Sequence, residues 1–176
     1  MMSARPRGQL AQSIVEFAVS APVLILLLLG AFDAGVMISD KVIAGAACRQ
    51  GARLAAEIGG QITNPTLTTA QVDADIVKNV IAVAGAMNYS TLKFVYIYRP
   101  LQPDGDYHAG DPYDLFDAAG NNIFSSFPLS ARNQIPPDET PIGVRVEWAY
   151  NPPTGLPGFA LNLSEHAVFR ASPVLV

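Results

Sequence analysis

The chain has 176 residues, enough for one domain with an appendage. Its net charge of −4 and scattered basic residues exclude the concentrated basic patch of a nucleic-acid binder. The lone Cys48 excludes an internal disulfide framework and a cysteine-rich zinc site, and His108 and His166 leave little material for a metal centre or a triad.

Residues 1–11 read as a short basic leader with Arg5, Pro6, Arg7 and Gly8, without fixed structure. From Gln12 the chain turns apolar, and Phe17 to Ile38 holds a single charged residue, Asp33, after the run Val23-Leu24-Ile25-Leu26-Leu27-Leu28-Leu29. At about 1.5 Å per residue this stretch makes a helix of roughly 33 Å, enough to cross a hydrocarbon core of about 30 Å. Arg5 and Arg7 precede it with no acidic neighbour, which places the amino terminus in the cytoplasm and the bulk of the chain outside. A secretory signal would have a shorter apolar core, about 7–15 residues, with a small-residue cleavage site directly after it. Here the run continues into Gly35-Val36-Met37-Ile38, and Ala46-Ala47-Cys48 stands too far beyond it to serve as a lipoprotein site. Pro22 predicts a kink that neighbouring groups can accommodate in lipid. Glu16 lies at the mouth of the span, where it is either an interfacial carboxylate in water or the partner of a positive charge inside an assembly.

Asp40 to Ile58 stays helical but becomes alanine-rich and amphipathic, with Val42, Ile43, Ala46, Cys48, Ala52, Leu54, Ala55 and Ile58 on a broad stripe. Gly59-Gly60 ends it. The small residues Gly45, Ala46, Ala47 and Ala52 suit close packing, either between helices or beneath a small sheet.

These residues carry a family resemblance. Gln12-Ser13-Ile14-Val15-Glu16-Phe17-Ala18, then Pro22 and the leucine run, resembles the start of TadE-like proteins, the minor pseudopilins of tight-adherence pili within the type IV pilus systems. It continues through Gly30-Ala31-Phe32-Asp33 and Ala46 to Arg53, with Gly51, Ala52 and Arg53 as a downstream motif, and so covers about residues 8–53. Ala167-Val168-Phe169-Arg170 is similar, more distantly, to the last strand of that family. The resemblance implies a structural protein of the cytoplasmic membrane, not an enzyme, with no cofactor. Its implied partners are other small pilus subunits, a membrane platform protein, a cytoplasmic assembly ATPase and a prepilin peptidase. Such peptidases usually cut after glycine, with glutamate fifth in the mature chain. Here Ala11 takes the glycine position, so the cut falls between Ala11 and Gln12; cutting after Gly8 would place Glu16 eighth. Glu16 would then pair with the new α-amino group of a neighbouring subunit. Asp33 matches a polar residue of the family's membrane helix, whereas Val36 stands where many relatives carry arginine.

Beyond Gly60, Asn64-Pro65 marks a turn, and Thr68 or Thr69 caps a helix with Val72, Ile76, Val80 and Val83 at helical spacing. Asp73 and Asp75 sit in its first turns, and it ends near Gly85 to Asn88. Alternation then gives three strands: Leu92-Phe94-Tyr96-Tyr98 on one face of the first, Val144-Val146-Trp148-Tyr150 on one face of the second, and Ala167-Phe169-Ala171 on the third. A short strand is possible at 159–163. Residues 100–141, rich in Pro, Gly, Asp and Asn, are long for a loop and predict a short helix or strand near Leu115 or Phe124. The expected fold is α+β: a basic leader (1–11), a transmembrane helix extended beyond the membrane (12–59), and an extracytoplasmic domain (60–176) with a small antiparallel sheet packed on helices.

Asp104-Gly105-Asp106, Asp111, Asp114 and Asp117 could offer oxygens to calcium, but the twelfth-position glutamate and sixth-position glycine of an EF-hand loop are missing, so they read as solvated acidic turns. No phosphate loop, paired catalytic carboxylates or nucleophile elbow is present, and Ser164-Glu165-His166 are only sequence neighbours. Two other functions stay open: a membrane-tethered binding protein that recognises a ligand through 100–141, and a secreted protein with a long signal peptide.

Overall fold

A computed structural model describes the backbone of residues 7–60, 66–156, 158 and 160–171, and side chains from Gln12 onward. Arg5, the Asn64-Pro65 turn and Phe159 lie outside the described residues. The first element, α1 (Arg7–Ile58), is a single α-helix of 52 residues that continues through Pro22. It already includes Arg7 to Ala11, which the sequence assigned to an unstructured leader. The membrane candidate and the alanine-rich amphipathic segment are therefore one continuous helix. Its end comes at Gly59, whose amide donates to Ala55 O at 2.8 Å.

Helix α2 (Thr69–Ala84) begins where the capping residues predict. Thr68 Oγ1 accepts from Gln71 N at 3.3 Å, and Gln71 Oε1 accepts from Thr68 N at 2.9 Å, a reciprocal capping box. Val72, Ile76 and Val80 are buried along one stripe, and Gly85 N closes the far end on Ile81 O at 2.8 Å.

Five strands form one antiparallel sheet in the order β3-β2-β1-β4-β5. They are β1 (Ser90–Tyr98), β2 (Tyr113–Asp117), β3 (Asn122–Ser125), β4 (Pro141–Tyr150) and β5 (Leu161–Arg170). The helices cover one face. Ala44, Ala47, Cys48, Ala52 and Ala55 of α1 and the α2 stripe meet Ile142, Val144, Val146 and Trp148 of β4, with Val95 and Ile97 of β1. The small residues of α1 thus lie beneath the sheet, where short side chains let the helix approach. Gly51 is the tightest point: a β-carbon there would stand 2.3 Å from Val80 Cγ2.

Two expectations change. The possible strand at 159–163 and the strand at 167–171 are one strand, β5, paired with β4 from Leu161 to Arg170. Within residues 100–141 the strand expected near Leu115 or Phe124 is present as two, the β2–β3 hairpin, followed by a 3₁₀ turn at Leu129–Ala131. In β1 the register shifts between Leu92 and Phe94, so that Leu92 opposes Trp148 and Phe94 opposes Glu147. The bulge reverses the facing of every later residue relative to Leu92. Val95 and Ile97 enter the core, and Phe94, Tyr96 and Tyr98 line the opposite face. There Tyr107 packs on Tyr96, Tyr98 and Tyr113 at centroid distances of 5.2, 5.8 and 5.1 Å. Tyr98 also covers Gly143, its cross-strand partner, and its hydroxyl donates to Gly105 O at 2.6 Å.

The acidic turns also divide. Asp104 and Asp117 are turn carboxylates near solvent, but Asp111 and Asp114 are buried, contrary to a uniformly solvated cluster. Asp111 accepts from the amides of Leu101 and His108, and Asp114 from Ser125 Oγ, Ser126 N and Phe127 N. Each carboxylate thus accepts backbone amides from a tight loop beside it.

Candidate assembly helix and its junction with the head domain

Along α1 the burial pattern changes once. From Gln12 to Phe32 the apolar side chains project into open space: Phe17 is 71 % exposed, Leu24 57 % and Leu28 70 %. From Asp33 onward one side of the helix is covered, through Asp40, Ala44, Ala47, Cys48, Gly51, Ala52 and Ala55. Steps of three and four residues keep these positions on a single stripe. The best stretch of the Gln12–Ile58 segment has a mean hydropathy of 2.4 and no buried residue, so by length and composition it can cross a membrane.

Two carboxylates fasten the rod to the head domain. Asp33, assigned from the sequence to the membrane helix as a polar residue, is fully buried by the head instead. Its carboxylate accepts from Thr154 N at 3.4 Å and from the Thr154 hydroxyl, and its backbone carbonyl accepts from Tyr150 Oη at 2.8 Å. Two turns further on, Asp40 accepts from Asn88 N at 3.1 Å, Tyr89 N at 3.2 Å and Ser90 Oγ at 2.7 Å. Both therefore hold the loops at one end of the sheet, the α2–β1 turn and the β4–β5 connection. Neither set of partners is visible locally, since the donors lie roughly fifty and one hundred and twenty residues away in the chain.

The other residues singled out in the sequence fall on both sides of this junction. Glu16 lies on the bare half, where Gln12 Nε2 donates to its Oε1 at 3.0 Å and Ser20 Oγ donates to its carbonyl at 2.9 Å. Gln12 and Glu16 are one turn apart on the same face, with Ala11 immediately preceding. Gly51 and Ala52 are buried contacts of α1 with α2 and β4. Arg53 points outward and pairs with Glu57 at 2.9 Å. Cys48 is buried, and its Sγ donates to Glu165 O at 3.0 Å; burial pushes its thiol up to about 12, so it is an inert core residue.

One network was not anticipated. Arg132, buried, donates to both oxygens of Asp73 and to Asp114, and also to Phe127 O at 2.7 Å, with its guanidinium 4.6 Å above the Phe127 ring. It ties the segment after β3 to α2. Among the described residues, no group of three or more His, Cys, Asp or Glu side chains is placed to hold a metal ion. Ser164, Glu165 and His166 follow one another along β5; Glu165 faces Lys41 at 3.4 Å and His166 Nδ1 faces Asp106 at 3.5 Å.

The decisive comparison concerns the rod. A family model described as TadE-like protein matches residues 11–53. Over these residues the amino-terminal helix is similar to TadE-like proteins. No curated protein and no solved structure matches the chain. The matched segment begins at Ala11, runs through the bare apolar half and both carboxylate clamps, and ends on Gly51-Ala52-Arg53. The sheet, α2 and the 100–141 segment lie outside the match.

Proposed function

We propose that the chain is a minor pseudopilin of a tight-adherence pilus system, held in the cytoplasmic membrane with its amino terminus inside. One observation carries this reading: the TadE-like helix is apolar and uncovered on the side away from the head, not only below Asp33 but also above it. Ile38 and Val42 are 57 % and 62 % exposed. They stand about 7.5 and 13.5 Å beyond Asp33 along the axis, at about 1.5 Å per residue. Val42 stands above even Asp40, whose partners form the base of the head, so lipid tails do not account for the whole of this apolar face. A neighbouring helix does.

In this reading the helix is stored in lipid and then moves into a bundle whose packed neighbours replace the lipid. Cleavage between Ala11 and Gln12 by a prepilin peptidase would create an α-amino group one turn from Glu16. In the bundle, Glu16 would meet that group on an adjacent subunit and set axial register more than it adds net stability. The partners are other pilus subunits and a membrane platform protein, and the role is structural.

Amino-terminal sequencing of the mature protein from its host tests the reading. The expected first residue is Gln12, with Ala11→Gly processed at least as well. A mature chain that still starts at Met1 or Met2 would remove the pairing mechanism. A mature chain lacking the leucine run would make the helix a signal peptide.

A further inference from the structure

Asp33 limits how much of α1 can lie in lipid. The uncharged stretch below it, Phe17 to Phe32, is sixteen residues, or about 24 Å of helix. A hydrocarbon core of about 30 Å is thicker than that. The shortfall of about 6 Å must be met at the ends, because a short span draws its flanking groups towards the bilayer. At the lower end the flanking groups are Glu16 and Gln12. At the upper end they are the loops that Asp33 and Asp40 hold.

Those loops are suited to that position. Residues 79–92, which contain the α2–β1 turn, have no charged side chain, and neither do residues 148–164, which contain the β4–β5 connection. The register brings them together: Tyr150 pairs with both Ser90 and Leu161, and Asn151 N donates to Tyr89 O at 2.8 Å. The carboxylates at this end, Asp33 and Asp40, are both fully buried and turned onto protein donors. What is presented outward includes Tyr89 and Leu161, 44 % and 41 % exposed, beside Pro153 and Leu156. An amphipathic tyrosine among apolar and uncharged groups is the composition found at the headgroup level of membranes.

We propose that this end of the head domain, the 85–90 turn together with residues 151–156, 158, 160 and 161 of the β4–β5 connection, is seated in the headgroup and acyl boundary of the bilayer that α1 crosses. The domain then stands on the membrane rather than being held clear of it by a linker. The partner is the lipid surface, and because the seat is uncharged it does not require anionic lipid. This rests on the reading of α1 as a membrane anchor.

The test uses the full chain in phosphatidylcholine vesicles, with an environment-sensitive fluorophore on a cysteine introduced at one of three sites. Leu156→Cys reports the proposed seat, Asp138→Cys the opposite end of the head, and Leu27→Cys the middle of the span. Cys48 is fully buried and stays unlabelled. Nitroxide lipids with the spin label near the headgroup should quench the label at 156, and those with a deep label should quench the label at 27. Neither should quench the label at 138. If 27 is quenched while 156 behaves like 138, the seat is wrong and the anchor stands; that end then faces water or another protein. If 27 is not quenched, the anchor reading fails and takes the seat with it.

Discussion

Arg132 grips Asp73 with both terminal nitrogens, at 2.6 and 3.0 Å, while Nη2 also reaches Asp114 at 2.8 Å. Two carboxylates thus surround one cation in a site closed to solvent. Burying the surplus negative charge favours a proton on the cluster. Burial raises the Asp73 carboxyl from the ordinary 3.8 to about 7, against the opposing pull of Arg132. The folded protein therefore holds a proton that the unfolded chain has released. The stability this contributes is fully present below about 3.8 and is lost as pH rises through about 7. Asp73→Asn carries the neutral form permanently, so its stability relative to the parent should rise between pH 5 and pH 8. Urea unfolding of both proteins across that range measures the difference. Arg132→Met leaves two carboxylates facing each other without the cation, and should cost about 3–5 kcal/mol at neutral pH.

Within α1 the same substitution should have opposite effects at two glycines. At Gly51 an alanine β-carbon would meet Val80 Cγ2 at 2.3 Å and Val144 Cγ1 at 3.3 Å. Both are branched, buried side chains with little room to turn. Overpacking of this kind costs about 1–3 kcal/mol, more than the roughly 1 kcal/mol alanine adds to a helix. At Gly35 nothing lies within 4 Å of the same atom. Thermal unfolding in detergent should show Gly51→Ala destabilised and Gly35→Ala neutral or slightly more stable.

The Asp40 clamp makes a graded prediction. Asp40→Ala strands two amide donors and the Ser90 hydroxyl beside a helix that has no substitute acceptor, a loss on the order of 3 kcal/mol. Asp40→Asn keeps one acceptor oxygen and should fall between Asp40→Ala and the parent. Hydrogen exchange of the Asn88 and Tyr89 amides should accelerate in the same order.

What could be read in advance was what repeats along the chain. The long helix to Gly59-Gly60, the Thr68 cap, the α2 stripe and the alternation of β4 all depend on near neighbours. The facing of β1 was not legible, because one bulge at Lys93 reverses an alternation that looks regular in the sequence. Asp33 in an apolar run looks like a polar residue inside a membrane, and only the return of Thr154 makes it a buried acceptor. Arg132 and Asp114 sit in stretches whose composition resembles solvated turns. Their burial follows from the β2–β3 hairpin, whose strands of five and four residues are too short to show a clear period.

Orientation makes a separate prediction. Arg5 and Arg7 precede the span, whereas the basic residues beyond it belong to the folded head domain, Lys41 pairing with Glu165 and Arg53 with Glu57, and the charges of a long domain bear little on orientation. A reporter that works only outside the cytoplasm should be active when fused after Val176. Activity of a cytoplasmic reporter at that site, with the first one silent, would invert the topology.

Glu16 tests the function itself. Among the described residues, Gln12 Nε2 donates to its carboxylate at 3.0 Å and Ser20 Oγ to its backbone carbonyl at 2.9 Å. Twenty residues of helix, about 30 Å, reach from Phe32 down to Ser13, so a head seated at Asp33 draws Glu16 inside the lower edge of the hydrocarbon. An idle carboxylate there would be better replaced by a neutral amide, and Glu16→Gln would then assemble as well as the parent or better. A carboxylate that pairs with the Gln12 α-amino group of an adjacent subunit behaves differently. Its removal leaves that amine without a counter-charge in an apolar bundle, at a cost of several kcal/mol. We therefore expect Glu16→Gln to insert in the membrane in normal amounts, to be processed at Ala11, and to be lost from pilus-subunit complexes recovered by co-purification. Glu16→Asp, shorter by one methylene but still charged, should recover part of the association. Parent-like assembly by Glu16→Gln would show that the carboxylate is a bystander, and the role of the bare helix would then rest on apolar packing alone.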